Sequence, residues 1–181
     1  MPNPPRRRLP HVYAIGRPLF ITFCLHNSLP PGRAYPAGDL TSGAAFANMD
    51  RLLDQAREGP THLRIPEIAA LVKQAILQGE AAVSYDFHAW VIMSNHVHLL
   101  ITPQIDPPRL LQTLKGSTAR AANLALHRQG TRFWQPESYD RLIRSPEEYR
   151  SILRYILQNP VKAALAPTPE TYPWSSAYLP K

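Results

Sequence analysis

The chain has 181 residues, 44% of them hydrophobic, which suits a single domain with a real core. Its net charge of +7 and pI of about 9.9 favour a polyanionic partner. One cysteine, Cys24, excludes an intrachain disulfide and a thiolate-rich zinc site. No stretch reaches the roughly eighteen uninterrupted apolar residues of a membrane span, and no signal-peptide run follows Arg6-Arg7-Arg8. The chain reads as cytoplasmic and independent of membranes.

Its 20 prolines cluster in the first 36 residues and from Pro160 onward, which predicts irregular ends around a compact centre. Residues 1–17 read as a basic Pro/Arg-rich arm in which Arg6, Arg7 and Arg8 are candidate phosphate contacts. Residues 18–165 read as the main domain and 166–181 as a tail packing back on it. Leu19–Leu25 is a short run of β-formers and predicts the first strand. Residues 27–60 are loop-rich, with a weak helix over 44–57. A better helix is predicted over 66–78, with Pro66 in its first turn and Gly79 as its stop.

Strands over 82–93 and 96–102, joined through Ser94-Asn95, predict a β-hairpin closed by Pro103 and Pro107-Pro108. A helix is expected over 109–128, with Gly116 a weak point, and a short strand over 139–144. The last helix is the best signalled: Ser145 as N-cap, Pro146 at the first position and Glu148 completing a Ser-x-x-Glu box. Pro160 is expected to end it at Asn159. This order fits an α+β fold, an antiparallel sheet with helices packed on one face, the other face open to a partner and the histidine strand central.

Side chains alternate along a strand, so His96, His98 and Leu100 share one face, and Val97, Leu99 and Ile101 the other. Two imidazoles side by side form half of a metal site. On the last helix Tyr155 and Asn159 are i, i+4 neighbours on one edge of the apolar face. Laid over the sheet, that edge brings a phenol and an amide oxygen towards the histidines, a set suited to Mg²⁺ or Mn²⁺. Taken singly, each feature has an ordinary reading: sheet histidines, a boundary tyrosine, an Asn-Pro helix end. Nothing in the sequence pairs with His11, His26, His62, His88 or His127, so they read as structural. Between Arg109 and Lys162 stand ten basic and four acidic residues, so nearly all of the excess charge lies there. Lys115, Arg120, Arg141, Arg144 and Lys162 are the candidate DNA contacts within it. Phe133 and Trp134 have two readings, stacking on unpaired bases or core packing.

Met93-Ser-Asn-His-Val-His-Leu-Leu100, Phe133-Trp-Gln-Pro136, Tyr139-Asp-Arg-Leu-Ile-Arg144, Tyr155-Ile-Leu-Gln-Asn-Pro-Val-Lys-Ala163 and Tyr172-Pro-Trp-Ser-Ser176 occur in that order. The set resembles the single-tyrosine HUH transposases, and most of all their REP-associated branch, over roughly residues 80–178. The resemblance implies a ferredoxin-like antiparallel sheet with helices. It matches His96 and His98 to the HUH pair around a hydrophobic Val97, Tyr155 to the nucleophile and Asn159 to the third metal ligand. Ser94 departs from the family's frequent Pro before Asn-His, which affects the turn and no ligand.

The implied activity is metal-dependent cleavage and transfer of single-stranded DNA at hairpin-flanked sites. Tyr155 would form a 5′-phosphotyrosine, with Mg²⁺ or Mn²⁺ as cofactor and the protein acting as monomer or homodimer. The alternative is a non-catalytic hairpin-DNA-binding relative of the same fold. An RNA-binding sheet module lacks the stacking aromatics it would need beside His-x-His. A water-using metal hydrolase would leave Tyr155 incidental.

Overall fold

The computed structural model describes residues 15–28, 53 and 59–180. The basic arm with Arg6–Arg8, His11, and most of the loop-rich 27–60 segment therefore lie outside the described residues. Of the helix expected over 44–57, only Leu53 is described, helical and buried.

Strand β1 (Leu19–Cys24) is buried throughout. Helix α1 (Pro66–Ala81) follows, then the hairpin of β2 (Tyr85–Ile92) and β3 (His96–Pro103). Helix α2 (Pro107–Ala125), β4 (Tyr139–Leu142) and α3 (Pro146–Lys162) complete the domain. The strands form one four-stranded sheet in the order β2-β3-β1-β4, every pair antiparallel. A β-α-β-β-α-β chain with that order is the ferredoxin-like arrangement. The expected α+β class and the central histidine strand are both present.

Two helices share one face of the sheet. Ile68, Val72 and Ile76 of α1 and Leu110, Leu111 and Leu114 of α2 pack with Ile21, Phe23, Val97, Leu99 and Ile101. The third helix takes the other side. Ile156 of α3, with Ile152 and Leu153, packs against Phe20, Ala89, Val91 and Leu100. The face expected to stay open is thus partly roofed by α3, because the apolar stripe of that helix needs a second surface to bury. Among the described residues no helix is long and apolar enough to cross a membrane.

Helices α1 and α3 run past their expected stops, α2 ends three residues before its own, and each closes on a non-glycine residue with positive φ. Gly79 lies inside α1, and the reversal falls at Val83 (φ 55°), with Ser84 N–H bonded to Gly79 O and Val83 N–H to Glu80 O. Gly79 serves the Tyr85 ring instead: a Cβ there would sit inside the ring's van der Waals envelope, where the Tyr85 hydroxyl donates to Ile76 O at 2.6 Å. Gly79→Ala is expected to destabilise the fold by about 1–3 kcal/mol through overpacking, read as a lower urea midpoint. Gly116 meets no such obstacle, and α2 passes through it unbroken.

A β-branched residue in the left-handed region is strained, and Val83 is 70% exposed, so its side chain adds little burial. Val83→Gly is expected to stabilise by about 0.5–1 kcal/mol, the relief of left-handed strain less the extra freedom glycine gives the unfolded chain. A higher melting temperature checks it. Similar closures occur at His127 and Ala164. Pro160 does not end α3. It gives up one helical N–H bond, but Asn159 and Pro160 are buried, and tertiary packing carries the helix on to Lys162.

Ser145 caps α3, accepting from Glu148 N–H at 3.2 Å. The return half of the expected box goes elsewhere: Glu148 Oε2 accepts from Arg144 N–H, and Oε1 pairs with Arg141. The last residues lie along β2. Ile92 N–H donates to Trp174 O, Ser176 N–H to Trp90 O, and the Tyr172 hydroxyl to Ile92 O. Burial pushes the Tyr172 phenol up to about 12, so it stays a neutral donor.

Candidate metal and nucleophile site

Strand alternation places His96 and His98 together on the α3 side of β3, both fully buried. Their Nε2 atoms converge to 3.1 Å and their ring centroids to 4.6 Å. Two nitrogens bound to one ion, each at about 2 Å, stand about 3 Å apart. The spacing therefore fits a shared cation.

Each imidazole is held from behind by its Nδ1. Asn95, the last residue of the hairpin turn, places Oδ1 2.7 Å from His96 Nδ1 while its Nδ2 donates to Leu53 O at 2.9 Å. That second bond fixes which end of the amide faces the ring. His96 Nδ1 must then carry the proton, so Nε2 is the ring nitrogen that presents a lone pair. Thr22 of β1 is the cross-strand partner of His98, and its Oγ1 lies 2.7 Å from His98 Nδ1. Phe20 stacks on the same ring at 5.7 Å.

From α3, Tyr155 sets its ring edge-on to His98, with centroids 5.7 Å apart and its hydroxyl oxygen buried. Lys162 Nζ lies 4.9 Å from the centre of the Tyr155 ring. Asn159, one turn beyond Tyr155, is 1% exposed. Among the described residues no three His, Cys, Asp or Glu side chains gather to hold a metal. An ion at the histidine pair would thus draw further ligands from neutral oxygens such as an amide, from a phosphate or from water, a set matching Mg²⁺ or Mn²⁺ rather than structural zinc.

A second phenol lies near by. Tyr139 of β4 pairs with Thr22 across the sheet. Burial raises its pKa, against the opposing hydrogen bond and charge of Arg141, so Tyr139 stays protonated. His88 sits at the β2 bulge on the same face, with Nε2 2.8 Å from Thr102 Oγ1 and its ring edge-on to Tyr149. Burial lowers its pKa despite Asp86, so it is neutral at pH 7. Two more histidines expected to stand alone also have partners: His26 meets Gln135, and His62 meets Arg128 and Phe133.

The candidate DNA contacts separate. Lys162 stands at the site, and Arg144 is exposed at the start of α3. Arg141 is paired with Glu148. Arg120 is exposed on α2, whose packing face meets the opposite side of the sheet. Lys115 is committed to the fold: its Nζ donates to Gln135 O, Pro136 O and Ser138 Oγ, using all three ammonium protons. Phe133 and Trp134 are core residues, the latter edge-on to Phe23 at 4.8 Å with its Nε1 donating to Thr118. Of their two readings, core packing is the one present.

Sequence reasoning passed over Thr22 and Asn95. The signal for Thr22 was a hydroxyl inside an otherwise apolar strand, and for Asn95 its place next to the first histidine. Neither signal names a partner, because register between β1 and β3 is a tertiary property.

Residues 63–159 match the family described as IS200-like transposases. The REP-associated tyrosine transposase of Escherichia coli (strain K12) is 26% identical over 109 residues, 59% of this chain and 62% of that relative's length. A solved structure of a REP-associated tyrosine transposase bound to a REP hairpin superposes with a TM-score of 0.64. That superposition covers 94% of this chain and 82% of the other at 19% identity, a likeness of fold.

Proposed function

The chain belongs to the IS200-like transposase family, and from that premise we propose that it cleaves and rejoins single-stranded DNA beside hairpins, with Tyr155 as the nucleophile. The observation that carries the reading is the meeting of two converging Nε2 atoms with a tyrosine ring over one of them.

His96 and His98 through Nε2, with Asn159 through its amide oxygen, would hold Mg²⁺ or Mn²⁺. When bound there, the ion supplies Lewis acidity towards a non-bridging oxygen of the scissile phosphate and offsets the charge that builds up. The Tyr155 oxygen attacks phosphorus, the bond to the 3′ oxygen breaks, and the DNA 5′ end is left on tyrosine beside a free 3′-hydroxyl. The phosphodiester energy is conserved in that linkage, so another 3′-hydroxyl can reverse the step and join strands. A free phenol has a pKa of about 10, so little phenolate exists at neutral pH; Lys162 Nζ stands 4.9 Å from the centre of the Tyr155 ring, a cation beside the attacking group. Lys162 and Arg144 supply cations for the backbone, and binding weakens steeply with salt.

The test uses the full chain with hairpin-flanked single strands and Mg²⁺ or Mn²⁺, then denaturation. A covalent protein–DNA adduct mapping by mass spectrometry to the peptide carrying Tyr155 is expected. Tight hairpin binding with no adduct across metals and substrates would overturn the catalytic reading in favour of a binding protein of the same fold.

A further inference from the structure

We propose that Thr22 is the positioning residue that makes His98 a metal ligand, acting as the hydrogen-bond acceptor that holds the His98 proton on Nδ1 when an ion is bound at Nε2. The inference rests on the histidine pair being a metal site, as set out above.

The two imidazoles are held by different chemistry. Asn95 Oδ1 can only accept, so the His96 proton is pinned to Nδ1 whether or not a cation is present. Nε2 of His96 is then always an acceptor. Behind His98 stands a hydroxyl instead of an amide: Thr22 Oγ1 lies 2.7 Å from Nδ1.

A bound cation needs the lone pairs of both Nε2 atoms. The His98 proton must then reside on Nδ1, and the same Thr22 oxygen accepts it. Thr22 and His98 are both 0% exposed, so no water stands in readily for the Thr22 hydroxyl. Without that hydroxyl, a proton on Nδ1 would lose the acceptor at 2.7 Å, and the tautomer that leaves His98 Nε2 a lone pair would be less favoured. The geometry of β1 supports the assignment: Thr22 faces His98 directly in register, at the centre of the sheet, where its position is fixed by strands on both sides.

The experiment measures Mn²⁺ affinity by calorimetry on the full-length protein without DNA, together with imidazole ¹⁵N spectra with and without Mg²⁺. Thr22→Val, which keeps shape and removes the hydroxyl, is expected to weaken Mn²⁺ binding about 10–100-fold, and Thr22→Ser to restore most of it. The spectra are expected to show His96 and His98 both protonated on Nδ1 when Mg²⁺ is bound. Thr22→Val with wild-type affinity, or His98 protonated on Nε2 in the presence of saturating Mg²⁺, overturns the proposal. The spectra are taken on the wild-type chain, so the test survives a Thr22→Val variant that does not fold. If His96→Ala leaves Mn²⁺ binding unchanged, the metal site itself fails, an outcome separate from a failure at Thr22 alone.

Discussion

Tyr155→Phe is expected to abolish the covalent DNA adduct and to reduce strand cleavage by on the order of 10³-fold or more, with hairpin binding retained. The substitution removes one oxygen atom. The ring that meets His98 and lies under Lys162 keeps its place, so the fold should change by no more than about 1 kcal/mol. That separation of chemistry from folding makes the variant decisive. Denaturing gels read the adduct, and a binding titration on the same protein reads the grip. Cleavage at the wild-type rate in Tyr155→Phe would point to water as the nucleophile and remove the tyrosine mechanism.

His98→Ala should have the next largest effect. With one of two converging nitrogens gone, cleavage is expected to fall by on the order of 100-fold or more and to lose its response to Mg²⁺ or Mn²⁺ concentration. A stability cost accompanies it. The Thr22 hydroxyl loses its partner in a fully buried place, which costs about 1–3 kcal/mol, and a thermal melt measures that part independently. Rates extrapolated across a series of Mn²⁺ concentrations distinguish a weakened site from a destabilised protein. A variant that melts early yet keeps its metal response would show that His98 serves the sheet and not an ion.

The two variants divide the labour at the site. One removes the atom that makes the new bond; the other removes the means of orienting the phosphate that receives it. Lys162 joins them: from the last turn of α3 it lies over the Tyr155 ring. Its reach depends on α3 continuing beyond Pro160, which sequence rules alone did not foresee.

Much of this was legible in the chain. Period-two alternation put His96 and His98 on one face, and the Ser145-Pro146 start of α3 followed from local capping chemistry. Both are properties of a few consecutive residues, so no distant partner is needed to read them. The motif set from Met93 to Ser176 named the family, and the match over residues 63–159 agrees with it.

What the tertiary structure decided is everything that depends on partners far away in sequence. Which side of the sheet α3 takes was ambiguous, because an apolar stripe specifies burial but not the surface that buries it. Lys115 was a candidate phosphate contact and Trp134 had two readings, base stacking or core packing; in the fold both hold the segment around residues 133–138 in place. Helix ends moved because packing of Tyr85 over Gly79, and burial of Pro160, outweighed propensities of about 1–3 kcal/mol per residue. Sequence by itself determined that two histidines face one way and that a tyrosine and an asparagine share a helix edge. Only the fold set that tyrosine against His98, and only strand register placed Thr22 behind the same ring.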